Sequence, residues 1–344
     1  MRILGIADIV TKDMIESGFN EHFPASNLQV IELDLADSAV ELQKINRQIE
    51  KEGLDPFDCT EKISREIGDF QPDLIAAHFA PITEECLQHH EGIKTVGLMR
   101  GGYENVEVEA ASKRDIDVMH TPGRNANAVA EYAVGMMLGE LKNISRGHEA
   151  LKRGEWRRRY PAGDLGRELS SRKVGIVGFG NIGRLIAERL SGFEVELLAH
   201  DPYVGEEEMR KLGVTKVELE ELLQESDVVS LHVRLNEETR GLIGKEELNL
   251  MSSDAYLINT ARAGLIEEEA LYQTLKNREI AGAAIDVFWQ EPLDINHPFT
   301  NLDNVTLTPH LAGFTEEALE NSPKMLAAQL FDYLKNGDRT YIVN

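Results

Sequence analysis

Lys173-Val174-Gly175-Ile176-Val177-Gly178-Phe179-Gly180-Asn181-Ile182-Gly183 is the stretch from which the rest of this chain can be read. An apolar run leads straight into Gly-x-Gly-x-x-Gly, and Arg184 to Leu190 has helical character. A second apolar run, Val195 to Ala199, is followed by Asp201, about 18 residues past the last glycine. The order is strand, glycine turn, helix, strand, acid. Gly178 permits a tight turn, Gly180 lets backbone approach a pyrophosphate, and Gly183 lets the helix lie close to the sheet. The helix N-terminus at Asn181 and Ile182 offers free N–H groups and a positive dipole end to phosphates. Asp201 can accept hydrogen bonds from a ribose diol. The glycine triplet alone is a weak signal; with strand, helix and acid in place it predicts a dinucleotide site.

Working outward, short apolar runs recur at Val228 to Val233, Ala255 to Ile258, Ala283 to Phe288 and Val305 to Leu307. Between them, Glu218 to Leu223 and Glu267 to Lys276 carry helical spacing and good helix formers. Strands alternating with helices predict an α/β fold with a doubly wound parallel sheet. The span from about 122 to 315 therefore reads as one dinucleotide-binding, Rossmann-like domain. The first third alternates similarly, with strands expected at Ile3 to Ala7, Leu28 to Leu33, Leu74 to Ala77 and Thr95 to Leu98. It lacks a glycine fingerprint, so it is expected to be a second α/β domain with another task. Residues 36 to 70 are charged and read as one or two exposed helices inserted into it. Ala126 to Leu141 is small and apolar enough to be buried, and with Glu316 to Leu334 it is expected to bridge the domains. Pro323 should sit near the start of that last helix or kink it. The substrate domain is then discontinuous in sequence, 1–121 plus 316–344, and flavodoxin-like.

At 344 residues the chain is long enough for two domains, and 42% hydrophobic residues supply their cores. A formal net charge of −24 opposes binding to nucleic acid or an anionic membrane. Cys59 and Cys86 are the only cysteines, which gives neither a disulfide framework nor a zinc spacing and suits a reducing, cytoplasmic setting. The N-terminus reads as a first strand rather than a signal peptide. No segment reaches the ~18 uninterrupted apolar residues of a membrane span.

Ligands of open α/β sheets bind beyond the carboxyl ends of the strands. The residues there are Asp201, His232 with Arg234, Asn259 with Arg262, Asp286 with Glu291, and His310. Taking hydride from an alcohol requires a base for the hydroxyl proton, and a histidine titrates near working pH. His310, in Thr308-Pro309-His310-Leu311-Ala312-Gly313, is the first candidate. Glu291 can hold the other ring nitrogen and fix the tautomer. Arg262 offers a fork of donors for a carboxylate and the adjacent carbonyl oxygen. Position alone leaves three plainer readings open: a surface histidine, a helix-flanking charge and a surface ion pair.

Four segments then bear on the choice. Gly178-Phe179-Gly180-Asn181-Ile182-Gly183, Asn259-Thr260-Ala261-Arg262, Asp286-Val287-Phe288-Trp289-Gln290-Glu291-Pro292-Leu293 and Thr308-Pro309-His310-Leu311-Ala312-Gly313 occur in that order. Together they resemble the D-isomer-specific 2-hydroxyacid dehydrogenase family, and in particular its phosphoglycerate-dehydrogenase-like members. The resemblance implies two Rossmann-like domains, a substrate cleft between them, a homodimer, NAD as cofactor and a small 2-hydroxy or 2-keto acid as substrate. It implies Arg262, Glu291 and His310 as the catalytic trio, with Asp286 facing the nicotinamide carboxamide. Expected cofactor contacts are Gly178, Gly180, Asn181, Ile182, Gly183, Asp201, His232, Arg234, Thr260, Ala261, Asp286 and Gly313. Formate oxidation on the same fold is one alternative, although it needs no hydroxyl proton removed. A non-catalytic NAD-sensing module akin to the corepressors of this fold is another. The chain ends soon after the last helix, so no appended regulatory domain is expected.

Departures from the family pattern concern the substrate. Gly97-Leu98-Met99-Arg100-Gly101-Gly102-Tyr103-Glu104-Asn105-Val106 matches the usual substrate loop, Arg-Ala-Gly-x-Gly-x-Asp-Asn-Ile-Asp, but Arg100 stands where the first glycine belongs. Gly101 and Gly102 can still aim N–H groups at a carboxylate. Arg100 is expected to add a cationic contact that favours a phosphorylated or longer polyhydroxy acid, unless it turns outward into an ion pair. His78 and Phe79 follow a first-domain strand and are expected either to face the substrate or to form a buried pair. Arg234 raises NADP as a possibility, because a 2′-phosphate seeks an arginine. Asp201 opposes it: two unit charges ~4 Å apart at an effective dielectric of 20 interact by about 4 kcal/mol. The balance favours NAD. Trp156-Arg157-Arg158-Arg159-Tyr160 is a local basic cluster, expected in a loop paired with acidic neighbours or a partner subunit.

Overall fold

A computed structural model of the chain describes residues 1–24, 27–33, 54, 59–160 and 165–344. It comprises two compact units, Met1–Asn125 with Thr315–Asn344, and Ala126–Phe314. Each is built on one wholly parallel sheet.

In the first unit the strands are β1 (Ile3–Ala7), β2 (Leu28–Glu32), β3 (Leu74–Ala77), β4 (Thr95–Leu98) and β5 (Asp117–His120), in the order β2-β1-β3-β4-β5. Every residue of β1, β3 and β4 is buried, as expected of parallel strands covered on both faces. The period of two divides β1 between two cores. Ile3 and Ala7 pack with Ile15 and Phe19 of helix Lys12–Asn20 and with Leu326 and Leu330 of helix Glu316–Asn336. Leu4 and Ile6 pack with Ile63 and Ile67 of helix Thr60–Phe70 on the opposite face. This last helix falls in the charged segment expected to hold exposed helices; the rest of that segment, save residues 54 and 59, lies outside the described residues. Pro323 neither starts nor ends its helix. It lies buried in the interior, and the apolar packing of Leu326, Ala327 and Leu330 offsets the lost backbone bond.

The second unit carries β6 (Lys173–Val177), β7 (Glu196–His200), β8 (Val214–Lys216), β9 (Val228–Leu231), β10 (Tyr256–Asn259), β11 (Gly282–Ile285) and β12 (Val305–Leu307). Their order, β12-β11-β10-β9-β6-β7-β8, reverses between β6 and β9. That reversal opens a crevice at the carboxyl ends of those two strands. Helix Ala126–Leu141 is buried as its composition suggests, with Ala130, Ala133 and Met137 against Val174, Ile258 and Ala284.

Several sequence boundaries shift, two of them by more than one residue. The runs expected at Val228 to Val233 and Ala283 to Phe288 leave the sheet after Leu231 and Ile285. The residues beyond stay apolar because Phe288 and Val233 pack with the core on that face of the sheet, while His232 and Asp286 follow directly at the strand ends. β5 and β8 escape a sequence reading because each has so few apolar positions.

Candidate active site

The glycine turn sits at the crevice between β6 and β9. Gly178 has φ +94°, and a Cβ there would lie 2.7 Å from the backbone carbon of His232. A Cβ on Gly183 would lie 2.3 Å from the Gly178 carbonyl oxygen. Gly180 differs: a Cβ would meet nothing within 4 Å. The outer glycines thus answer to the fold, and the middle one borders open space. Helix Asn181–Leu190 starts there with no side chain capping it, so its first N–H groups remain for an anion. Asp201 accepts from Phe179 N at 2.8 Å and Tyr203 N at 2.9 Å. A carboxylate has room for about four donors, so a diol can still bind. These residues fit a dinucleotide.

His232 lies beside the turn, its Nε2 2.8 Å from Ser230 Oγ. Burial pushes its pKa down to about 3, which keeps the imidazole neutral. Arg234 is exposed beyond it. At the end of β10, Asn259 staples the following turn: its Oδ1 accepts from Ala261 N and its Nδ2 donates to Arg262 O, both at 3.0 Å. Thr260 is buried, and its hydroxyl has no partner among the described residues. Arg262 is exposed, and its Nη1 donates to Ala261 O at 2.8 Å.

Glu291 and His310 come together although 19 residues separate them. Glu291 Oε2 lies 2.9 Å from His310 Nδ1, and Oε1 accepts from Phe288 N at 2.8 Å. The Glu291 side chain is only 10% exposed against 37% for His310. A carboxylate can only accept here, so Nδ1 carries the proton and Nε2 presents its lone pair outward. His310 has φ +55°, a left-handed conformation that costs a non-glycine residue about 1–3 kcal/mol. Asp286 holds it there. Fully buried, that carboxylate accepts from Thr308 Oγ1 at 2.6 Å, Leu311 N at 2.9 Å and Ala312 N at 2.8 Å. The residue expected to face the nicotinamide carboxamide is therefore engaged in fastening the His310 loop. Gly313, partly buried, closes that loop.

The first unit also gathers polar groups at its strand ends. His78, after β3, is fully buried, with Nδ1 3.2 Å from Asp8 Oδ1. Asp8 follows β1 and also accepts from Val10 N at 3.0 Å and Phe79 N at 2.7 Å. His78 is thus tied to Asp8 through Nδ1, while its Nε2 is buried with no hydrogen-bond partner among the described residues. Phe79 is partly exposed, and the Arg100 guanidinium lies 4.7 Å above its ring. Arg100 is buried, with Nη2 3.4 Å from Glu104, so it does not simply turn outward. The N–H groups of Gly101 and Gly102 engage no partner among the described residues. In the basic cluster, Arg157 Nε donates to Arg159 O at 3.0 Å, and its guanidinium lies over the Tyr160 ring.

Residues 134–312 match the model of the "D-isomer specific 2-hydroxyacid dehydrogenase, NAD binding domain". The chain belongs to the D-isomer-specific 2-hydroxyacid dehydrogenase family. It is 39% identical over 267 residues to the glyoxylate reductase of Thermofilum pendens, covering 76% of this chain and 78% of that protein. It is 34% identical over 275 residues to the D-3-phosphoglycerate dehydrogenase of Archaeoglobus fulgidus, covering 80% of this chain and 51% of that protein. The chain thus spans about half the length of that relative. A D-lactate dehydrogenase structure from Sporolactobacillus superposes with TM-score 0.77 at 27% identity, covering 100% of this chain and 99% of that one. In this oxidoreductase family NAD is the cofactor, and the glycine turn with Asp201 lies in its NAD-binding domain.

Sequence reasoning missed Asp8, Asn105 and Arg124. Asn105 is buried, and its Nδ2 donates to His78 O at 3.2 Å and Ala80 O at 2.9 Å. The strand-end rule applied to the second domain would have found Asp8 had it also been applied to β1.

Buried His78 makes the first unit acid-sensitive. Burial lowers its pKa to about 4 from 6.5, against the pull of Asp8 and helped by Arg124 and Arg100. The folded pKa lies below the unfolded one, so the unfolded state binds more protons between those values. Stability is then lost as pH falls from about 6.5 and levels off near 4. At about 1.36 kcal/mol per pH unit the loss is about 3 kcal/mol. Urea unfolding at pH 7 and 4.5 should show it, with a smaller difference in His78→Gln. An equal pH dependence in that variant would remove His78 as the cause.

Proposed function

We propose that this chain interconverts a 2-keto acid and a D-2-hydroxy acid, with hydride passing to or from the nicotinamide of NAD(H). The observation that carries the reading is the Glu291–His310 pair. An imidazole with its inner nitrogen tied to a carboxylate and its outer nitrogen presented to solvent is suited to exchange the oxygen proton of the substrate. Glu291 sets the tautomer and stabilises the imidazolium when it forms. Arg262, on the turn held by Asn259, binds the substrate carboxylate and polarises the C2 carbonyl oxygen. Relatives named glyoxylate reductase and hydroxypyruvate reductase support a small 2-keto acid as substrate.

The test is a spectrophotometric screen of glyoxylate, hydroxypyruvate, pyruvate, 3-phosphohydroxypyruvate and four- and five-carbon sugar-derived 2-keto acids. We expect oxidation of NADH by at least one of them, with kcat/KM for NADH above that for NADPH because Asp201 repels a 2′-phosphate. Tight NADH binding without turnover of any acid would instead favour the non-catalytic sensing module. A preference for NADPH would overturn the role given to Asp201.

A further inference from the structure

Three loops of the second unit carry the proposed chemistry: Arg262 follows β10, Glu291 follows β11 and His310 follows β12. Glu291 joins the last two directly. The Arg262 turn is joined to them farther out. β10 and β11 stay paired as far as Asp286 N, which donates to Asn259 O at 3.0 Å, and there the ladder ends. The two chains meet again through side chains of the Glu291 loop. Trp289 Nε1 donates to Ile266 O at 3.1 Å, and His297 Nε2 lies 2.8 Å from Glu268 Oε1. Ile266 directly follows the short helical turn Ala263–Leu265 next to Arg262, and Glu268 opens helix Glu268–Lys276. A carboxylate only accepts, so His297 carries a proton on Nε2, and Nδ1 accepts from Phe299 N at 3.4 Å.

Phe299 unites the two contacts. It is fully buried, and both rings stack on it: Trp289 with centroids 5.8 Å apart at 12°, His297 at 5.3 Å and 15°. Tyr272 of helix Glu268–Lys276 meets it edge-on at 5.9 Å. The aromatic cluster is therefore shared by the Glu291 loop and the segment that follows Arg262.

Packing does not by itself account for the polar atoms. A phenylalanine at 289 could also stack on Phe299, whereas the bond from Nε1 to Ile266 O fixes a distance and a direction between two segments. The side chains of His297 and Glu268 are 20% and 41% exposed, and contacts so open to water contribute little to stability. Both links instead constrain where the Arg262 turn stands relative to the Glu291 loop. Chemistry by positioned groups is sensitive to such placement: a displacement of ~1 Å can cost about 10²-fold in rate.

We infer that Trp289 and His297 are positioning residues: through Ile266 O and Glu268 they set the place of the Arg262 guanidinium relative to the Glu291–His310 pair. The inference rests on the hydroxyacid reading above and adds to it the residues that align its parts. Trp289 acts through the backbone after Arg262, and His297 through the first residue of the next helix. Neither touches the reacting atoms; each supports groups that do.

The experiment is steady-state kinetics on the full chain, with NADH and the best 2-keto acid of the screen. Trp289→Phe keeps a ring against Phe299 and loses the donor; its kcat should fall at least tenfold while the Kd of NADH stays within twofold. Glu268→Ala should lower kcat at least threefold. Glu268→Gln, whose Oε1 can still accept from His297, should stay within twofold of wild type. Trp289→Phe is then repeated in an Arg262→Met background. No guanidinium remains there to be placed, so the further loss should be under threefold, whereas a merely structural role would cost the same in both backgrounds. Equal losses in the two backgrounds, or a Trp289→Phe enzyme within threefold of wild type, would overturn the inference and leave the reaction standing. If no acid is reduced, the reaction reading fails, and amide hydrogen exchange decides the link. Faster exchange over residues 262–268 in Trp289→Phe would support it, and unchanged exchange would sink it. Should Trp289→Phe fail to fold, Glu268→Ala against Glu268→Gln decides by the same measurements.

Discussion

Glutamine in place of His310 is expected to lower kcat by about 10²–10⁴-fold, the usual contribution of a positioned proton carrier. Glutamine can still donate to Glu291 Oε2, so the loop keeps its contact and the affinity for NADH should change far less than kcat. Glu291→Gln should also lower kcat, for a different reason. Its oxygen can still accept from Phe288 N, but its amide would then donate toward His310 Nδ1. The ring would carry its proton on Nε2, the wrong nitrogen to accept from a hydroxyl. Because both changes disable one device, the double variant should be scarcely worse than the His310 variant alone. Steady-state kinetics on the best 2-keto acid, with circular dichroism to verify folding, would measure this. A His310→Gln enzyme within threefold of wild type, or strictly additive losses, would remove the pair from the chemistry.

Alanine at Asp286 should cost the second unit about 3–5 kcal/mol and lower kcat by a further factor of about 10² in whatever still folds. The carboxylate is fully buried and receives one hydroxyl and two backbone N–H groups. Without it those N–H groups are orphaned, and nothing compensates the left-handed backbone at His310. Asp286→Asn should fall between alanine and wild type, since an amide NH₂ placed at Oδ2 would confront the Ala312 N–H. Urea unfolding with kcat measured on the same preparations tests both. A loss under 1 kcal/mol in the alanine variant would refute the fastening role.

The dinucleotide turn was legible because its requirements are local. A tight turn, a close helix and an acid one strand later all fall within one strand-helix-strand unit, and each leaves its mark on residue type. The carboxyl-edge rule likewise located Asp201, His232, Arg262, Asp286, Glu291 and His310. What it could not do was say which side chain touches which. Asp286 and Glu291 are both acids a few residues past β11, yet one is buried under the His310 loop and the other grips the imidazole. His78 looked as available as Phe79, but its ring faces inward to Asp8, 70 residues away.

Sequence alone determined the α/β class with its parallel sheets, the glycine turn and the candidate set of polar residues. All of these follow from periodicity and spacing, which are properties of a chain segment. Only the tertiary structure decided the pairings: Glu291 with His310, Asp286 with residues 308–312, and Asp8 with His78. Those partners are brought together by strand order, and the order in which parallel strands lie side by side is written in no single stretch of residues.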